Sequence, residues 1–153
     1  MNRREFIAGL AAAAWPVVAR AQQSDRVRRI GWLIGGDEND PEAKLRHSAF
    51  MQALADLGWT HGRNVQMDFR GAGGDLNRLP ALARELVGLQ PDIILTGTIP
   101  ATVVLQRETR TIPIVFATAA DPVVSGIVAR LNRPSGNVTG FAVLEPSLGG
   151  KWA

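Results

Sequence analysis

The strongest constraint on the fold is an alternation of strand-like and helix-like segments, and residues 91–123 show it most clearly. Residues 93–95 form a short apolar run, which is typical of a strand buried on both faces of a parallel sheet. Pro100 then suits the first turn of a helix, where a missing N–H costs nothing. Residues 114–116 predict the next strand, and residues 119–122 predict a second small-residue loop at its end.

The same alternation extends through the rest of the chain. Residues 64–70 alternate apolar and polar side chains, which predicts a strand with one wet face at the edge of the sheet. Further strands are predicted at residues 29–34 and 138–143, and helices at 43–57, 76–89, 101–108 and 123–131. Strands that alternate with helices predict an α/β fold, an open parallel sheet of about five strands with helices on both faces. Right-handed crossovers place the carboxyl ends of all strands at one edge, where such sheets bind ligands.

Composition excludes several kinds of site. The 153 residues contain no cysteine, which excludes disulfides and a thiolate nucleophile. His47 and His61 lie fourteen positions apart, without the spacing of a metal site, and we expect neither metal nor cofactor. Removal of residues 1–21 takes away three arginines and one glutamate, so the formal charge falls from +3 to +1. We therefore expect no nucleic-acid partner, because such binding calls for a concentrated basic face.

Residues 1–21 contain the three parts of an export signal in the usual order. A pair of adjacent arginines precedes an apolar run at residues 7–18, and Ala19 and Ala21 form an A-x-A cleavage site. The arginine pair resembles the bacterial twin-arginine signal, although the general secretory route stays open. The apolar run is shorter than the roughly 20 residues that span a bilayer. We expect a periplasmic protein that is cleaved after Ala21.

The loops after three of the predicted strands carry the candidate ligand-binding residues. Pro100 opens a helix whose free N–H groups suit a carboxylate, and Thr98 can add a hydroxyl. Asp121 can accept a hydrogen bond from an ammonium group. The alternative is that these residues only cap helices, because capping and ligand binding use the same groups. The candidate ligand-binding set is Asn39, Asp40, Thr96, Gly97, Thr98, Pro100, Ala101, Ala120 and Asp121.

No group of residues in the sequence predicts catalysis. None of the serines lies in a G-x-S-x-G motif, and Asp121 is not part of a clear carboxylate pair. The glycine-rich loop at residues 71–75 lacks the G-x-G-x-x-G spacing of a nucleotide site. We expect a binding protein and not an enzyme. A secreted enzyme resembling α/β hydrolases and a ligand-sensing domain of the same fold stay open as alternatives.

Seven short segments carry a family resemblance through their order and spacing. They are residues 38–41 (ENDP), 57–59 (LGW), 62–65 (GRNV), 109–116 (TRTIPIVF), 121–123 (DPV), 136–141 (GNVTGF) and 149–152 (GGKW). Together they resemble the substrate-binding proteins of bacterial ABC importers, in the branch whose better-studied relatives bind aromatic amino acids. The resemblance covers nearly the whole chain, including the signal.

The resemblance implies a type I periplasmic-binding-protein fold, in which two α/β lobes joined by a hinge close on a small solute such as an amino acid. It also implies an ABC permease as partner. Residues 22–153 resemble the first lobe alone, so we expect the second lobe to be absent and the truncated chain to bind weakly or not at all. Such proteins often have serine or threonine before the proline of the site, and Ile99 in that place removes one donor.

Overall fold

The computed structural model describes residues 26–118, 123–129 and 136–142. It confirms the α/β class, with five parallel strands in one open sheet of order β2-β1-β3-β4-β5. The strands are β1 (Arg28–Ile34), β2 (Val65–Gly71), β3 (Ile93–Thr96), β4 (Ile114–Thr118) and β5 (Val138–Ala142). The helices are α1 (Pro41–Asp56), α2 (Leu79–Gly88) and α3 (Ile99–Glu108), with a short 3-10 turn at Leu76–Arg78 before α2.

The structure confirms the predicted position of β2 but does not describe the predicted N-terminal signal. β2 lies at the edge of the sheet, as its alternating pattern predicts. The predicted signal at residues 1–21 lies outside the described residues. Among the helices of the described ranges, none is long and apolar enough to cross a membrane.

The helix predicted at residues 123–131 is wrong for its described part. Residues 123–126 form a turn, in which the N–H of Gly126 donates to the carbonyl of Val123 at 2.9 Å. Gly126 has φ +71°, a left-handed conformation that ends a helical turn. Ile127 and Val128 follow and are 3% exposed, so the segment still contributes apolar side chains to the core. Residues 130 and 131 lie outside the described residues.

The two faces of the sheet carry different layers. The β1–β2 crossover runs in the opposite direction along the sheet from the later crossovers, so right-handed connections put α1 on one face and α2 and α3 on the other. We call the α2–α3 side the core face and the α1 side the open face. On the core face, strand residues that are at most 2% exposed pack with residues of α2 and α3: Leu33, Ile94, Ile114, Phe116 and Val138 with Leu79, Leu86, Ala101 and Leu105.

Helix α1 is well capped but shallowly packed. The side chain of Asp40 accepts hydrogen bonds from the N–H groups of Glu42 at 2.8 Å and Ala43 at 3.3 Å. Gly58, with φ +88°, ends the helix as the sequence predicts, and the N–H of Trp59 donates back to Leu54 at 2.8 Å. No residue of α1 is buried, whereas α2 and α3 each bury three. We therefore expect the core face to contribute most of the stability.

Asp92 connects the amino ends of β1 and β3, at the edge of the sheet away from the ligand-binding end. Its carboxylate accepts from the N–H of Arg29 at 2.9 Å and from the Arg28 guanidinium at 3.1 Å, and Arg26 forms an ion pair with it at 3.1 Å. The backbone hydrogen bond from Arg29, followed by the two arginines, lowers the pKa of Asp92. A lowered pKa means that this stabilisation is present above pH 4 and is lost as the pH falls further.

Asp92→Asn is therefore expected to lower the free energy of unfolding by about 1–2 kcal/mol at pH 7, because the charge-assisted hydrogen bonds are lost. The difference from wild type is expected to shrink below about pH 4, where the wild-type carboxyl becomes protonated. Urea denaturation at pH 7 and pH 3 measures both. Asp56→Asn, at an exposed position on α1, is the control and is expected to change little. An equal loss at both pH values would contradict the electrostatic explanation.

Candidate functional site

A cavity of about 670 Å³ opens at the carboxyl end of the strands and continues over the open face. It has two parts, which differ in chemistry. The rim site lies between the loops after β1 and β3 and is lined by Gly35, Gly36, Asp37, Gly97 and Thr98. The groove lies between α1 and the open face and is mostly apolar, lined from the strands by Leu95, Val115, Ala117 and Phe141 and from α1 by Ala43, Arg46 and Phe50.

Thr98 is the residue of the rim site whose side-chain hydroxyl has no hydrogen-bond partner among the described residues. It occupies the N-cap of α3 with extended backbone angles (φ −139°, ψ 149°), yet its side chain makes no capping hydrogen bond. One reason is that Pro100, two residues later, has no N–H to donate. Its Oγ1 is buried and has no hydrogen-bond partner among the described residues. A buried hydroxyl without a partner is costly, so a bound ligand at this position would satisfy it.

Two of the other candidates around α3 have a structural role, as an internal hydrogen-bond donor or as part of the core. Thr96 is 2% exposed and donates its hydroxyl hydrogen to the carbonyl of Thr98 at 3.4 Å, so its side chain has an internal partner. The side chain of Ala101 is fully buried in the core, so only its backbone can face a ligand. Pro100 is exposed at the start of the helix. Of this group, Thr96, Gly97 and Thr98 line the cavity.

The first loop contributes an acidic residue that the sequence did not single out. Asp40 lines the cavity, but its carboxylate caps α1, which is the alternative role that the sequence left open. Asn39 is exposed and lies outside the cavity lining, and its N–H donates to Asp37 at 2.8 Å. Asp37 itself lines the rim site. Ala120 and Asp121 lie outside the described residues.

The loops after β1 and β2 are joined by hydrogen bonds. The N–H of Gly73 donates to the carbonyl of Gly36 and that of Gly74 to Gly35, both at 2.9 Å, and the N–H of Gly71 donates to the Glu38 carboxylate at 3.2 Å. These N–H groups are therefore unavailable for a phosphate. A Cβ on Gly71 would lie 2.5 Å from the backbone nitrogen of Glu38, so this close approach needs glycine.

The family can be identified from these residues and the segments around them. The model of the ABC transporter substrate binding protein family matches residues 39–147, which include α1, the loop before α3 and all strands after β1. The chain belongs to this family.

Relatives of this substrate-binding family member are longer than the chain. A tyrosine-binding protein of Clostridioides difficile (strain R20291) is 32% identical over 100 residues, which cover 65% of this chain and 29% of the relative. A conserved domain protein of Vibrio cholerae has 28% identity and a TM-score of 0.71, covering 83% of this chain and 42% of that one. An ABC domain in complex with L-Trp, from Streptococcus pneumonia, has 28% identity and a TM-score of 0.67, covering 76% and 38%. The chain thus spans less than half the length of these relatives.

In this family member, two of the segments that carry the resemblance, residues 109–116 and 136–141, hold the sheet together, and each also contributes one residue to the cavity lining, Val115 and Phe141. The Asn137 side chain donates to the carbonyls of Thr109 at 3.2 Å and Ile112 at 2.8 Å. The N–H of Ile114 donates to the carbonyl of Asn137 at 2.8 Å, which starts the pairing of β4 with β5. Both segments therefore contribute to the pairing of β4 with β5.

An aromatic cluster at the base of the cavity was missed as part of the site. Trp32 contacts Phe69 and Phe50, with ring centroids 5.3 and 5.4 Å apart, and His47 stacks on Phe69 at 5.1 Å. Trp32 was not among the predicted site residues. Its position next to Leu33, which faces the core, was the available signal, because neighbouring strand residues point to opposite faces.

The charges around the cavity are mostly acidic. Asp37, Asp40 and Glu42 line it together with a single base, Arg46, whose guanidinium pairs with Glu42 at 2.5 Å. In the part of the chain that the structure describes, no three acidic or histidine side chains form a group that could hold a metal ion. The site therefore offers a helix N-terminus and a hydroxyl on one side and carboxylates on the other, an arrangement that suits a zwitterion.

Proposed function

We propose that this chain forms one lobe of an extracytoplasmic solute-binding protein, which holds a small solute for import by an ABC permease. The observation that carries the proposal is the buried, unpartnered Oγ1 of Thr98 at the N-terminus of α3, inside the cavity. This position at the carboxyl edge of a parallel sheet is where such folds bind ligands.

The solute we propose carries a carboxylate and is an amino acid. Free N–H groups at the start of α3 favour an anion, and the hydroxyl of Thr98 adds a donor. Asp37, on the opposite side of the rim site, is placed to accept from an ammonium group, and we keep Asp121 as a second acceptor. The names of two relatives, a tyrosine-binding protein and a complex with L-Trp, support this solute class. Ile99 lacks a hydroxyl, so Thr98 supplies the side-chain donor here.

The proposal also includes an export signal and a place for this chain within a two-lobed protein. Residues 1–21 act as the export signal, cleaved after Ala21, and residues 22–153 form the first lobe of a two-lobed arrangement. Family members are extracytoplasmic, which agrees with such a signal. N-terminal sequencing of protein recovered from the periplasm tests the cleavage, and an intact Met1 there would contradict it. Because the described residues line only one side of the rim site, we expect weak binding by residues 22–153 on their own.

Thr98→Val is expected to weaken amino-acid binding about tenfold, because it replaces the unpartnered hydroxyl among the described residues of the rim site by a methyl group of the same shape. Titration of the ¹⁵N-labelled chain with L-tyrosine and L-tryptophan, followed by amide chemical shifts, measures this. In wild type the largest shifts are expected at residues 35–37 and 97–101.

Thr111→Val is the matched control, because Thr111 is exposed at the amino end of β4. It is expected to leave the titration unchanged. Shifts confined to residues outside the rim site, or equal affinities for the wild type and Thr98→Val, would contradict the assignment of the site. Tight binding by this chain alone would contradict the need for a second wall.

A further inference from the structure

The backbone carbonyl of Thr98 accepts hydrogen bonds from three donors. The N–H of Thr102 donates to it at 3.1 Å, which is the first hydrogen bond of helix α3. The hydroxyl of Thr102 donates to the same oxygen at 2.8 Å, and the hydroxyl of Thr96 donates to it at 3.4 Å. A carbonyl oxygen has two lone pairs, so this acceptor is engaged more heavily than helix formation requires.

The two hydroxyls belong to rigid parts of the fold on either side of the loop. Thr96 is buried at the end of β3, where its backbone pairs with both neighbouring strands. Thr102 is fully buried in the first turn of α3. A threonine hydroxyl in a helix often bonds the carbonyl four residues earlier, so the Thr102 bond alone would be ordinary. The Thr96 bond adds a second anchor, from the strand, and together the two bonds hold the backbone of residues 97 and 98.

This arrangement replaces the usual way of holding a threonine at the N-cap of a helix. An N-cap hydroxyl normally accepts from the N–H of the second or third helical residue, which fixes the cap but occupies the hydroxyl. The Thr98 hydroxyl makes no such bond. Because the backbone of Thr98 is held at its carbonyl instead, its hydroxyl stays unpartnered among the described residues and beside the rim site.

Gly35 shows how closely the Thr98 side chain is placed against the loop after β1. A Cβ built on Gly35 would lie 3.7 Å from Oγ1 and 3.9 Å from Cγ2 of Thr98, which is ordinary van der Waals contact. A change in the backbone angles of Thr98 would carry its hydroxyl away from this position. The affinity of the rim site therefore depends on how rigidly residue 98 is held.

We propose that Thr102 is a positioning residue of the rim site, which acts on a bound solute only through Thr98. Thr102 is fully buried and lies outside the cavity lining, so its side chain cannot touch a solute. Its hydroxyl fixes the carbonyl of Thr98 and thereby the direction in which the Thr98 hydroxyl points. This inference rests on the proposed function, although the orientation of Thr98 can also be measured without a solute.

Two substitutions at Thr102 separate positioning from packing. Thr102→Val keeps the shape and leaves the Thr98 carbonyl two donors, so the melting temperature is expected to stay within about 2 °C of wild type. Binding of L-tryptophan, followed by amide shifts of the ¹⁵N-labelled chain, is expected to weaken about threefold. Thr102→Ser keeps the hydroxyl and removes a buried methyl group, so it is expected to lower the melting temperature and to bind as wild type does. If Thr102→Ser proved the weaker binder of the two, the proposal would be overturned.

Thr109→Val is the matched control at the other end of α3. Thr109 is buried, and its hydroxyl accepts from the N–H groups of Thr111 at 3.3 Å and Ile112 at 3.2 Å. Its loss is expected to lower the melting temperature without changing the affinity for L-tryptophan, because these bonds lie far along the helix from Thr98. An affinity loss as large as that of Thr102→Val would show that any buried hydroxyl matters equally, and would contradict positioning.

The double variant Thr98→Val with Thr102→Val gives an independent measurement. A residue that acts only through the Thr98 hydroxyl adds nothing once that hydroxyl is absent. The double variant is therefore expected to bind L-tryptophan like Thr98→Val alone, about tenfold more weakly than wild type. Independent contributions would instead multiply to about thirtyfold, which would overturn the proposal.

The orientation of Thr98 in the free chain distinguishes this inference from the function on which it rests. Three-bond couplings from the backbone nitrogen and carbonyl carbon to Cγ2 of Thr98 report its χ1 angle. Wild type is expected to give the couplings of one rotamer, and Thr102→Val averaged couplings. Identical couplings in the two proteins would overturn positioning by Thr102, even where Thr98→Val weakens binding. Averaged couplings, with L-tryptophan shifts that Thr98→Val leaves unaffected, would support the positioning of Thr98 and overturn the assignment of the site.

Discussion

Replacing Gly140 by alanine is expected to lower the free energy of unfolding by about 3 kcal/mol, at the upper end of overpacking effects. Gly140 pairs with Phe116 on the neighbouring strand, and a Cβ at Gly140 would overlap the carbonyl oxygen of Phe116 and lie 2.7 Å from its ring. Phe116 is 1% exposed, and backbone cannot move aside as the end of a flexible side chain can. The variant must therefore separate β5 from β4 or expel Phe116 from the core.

Thermal and urea denaturation measure this loss, and hydrogen exchange of the β5 amides shows where it acts. Gly88→Ala is the matched control, because a Cβ at Gly88 meets nothing within 4 Å and the residue lies in α2. That change is expected to be neutral or to stabilise by up to about 1 kcal/mol, since alanine is the better helix former. A Gly140→Ala protein as stable as wild type would contradict the close approach of the two strands.

Leu86→Ala is expected to cost about 3 kcal/mol, because it opens a cavity in the layer between the sheet and α2. Leu86 is fully buried, and one of its methyl groups would lie 3.5 Å from a Cβ built at Gly31 of β1. Neighbouring core residues from β1, β3 and α3 limit collapse of the cavity.

The same substitution on α1 tests how stability is divided between the two faces of the sheet. Leu45 is 69% exposed, and Leu45→Ala is expected to change the free energy of unfolding by no more than about 0.5 kcal/mol. Urea denaturation of both variants gives the comparison. Similar losses at the two positions would mean that the open face carries as much stability as the core face, contrary to the packing of α1.

The order of elements could be predicted from the sequence because local patterns determine it. The alternation at β2 showed both the strand and its edge position, and Gly58 marked the end of α1. The segment after β4 could not be predicted in the same way. Its apolar residues at 123–128 suit either a helix or a packed turn, and the left-handed backbone of Gly126 decided between them.

The candidate site was predicted less completely than the fold, because it depends on which groups already have partners. From sequence, Thr96 and Thr98 are equivalent hydroxyls beside a helix start. In the structure the hydroxyl of Thr96 donates to a carbonyl and the hydroxyl of Thr98 does not. The difference arises because β3 and the turn after it orient the two side chains differently. Part of the signal was present, because Pro100 removes one of the N–H groups that an N-cap threonine would bind. The place of Asp37 in the rim site depends on a loop path that no local pattern predicts.

The hydrogen bonds between the loops after β1 and β2 have a kinetic consequence. They hold the backbone of Gly35 and Gly36 in place without a solute, so no gate has to open before a small molecule reaches that side of the rim site. None of the described residues covers the facing side of the rim site, so nothing in the described part of the chain slows escape either. We therefore expect rapid exchange between free and bound solute, seen as amide signals that shift continuously during a titration. A two-lobed relative that closes over its solute would instead give separate signals for its two states.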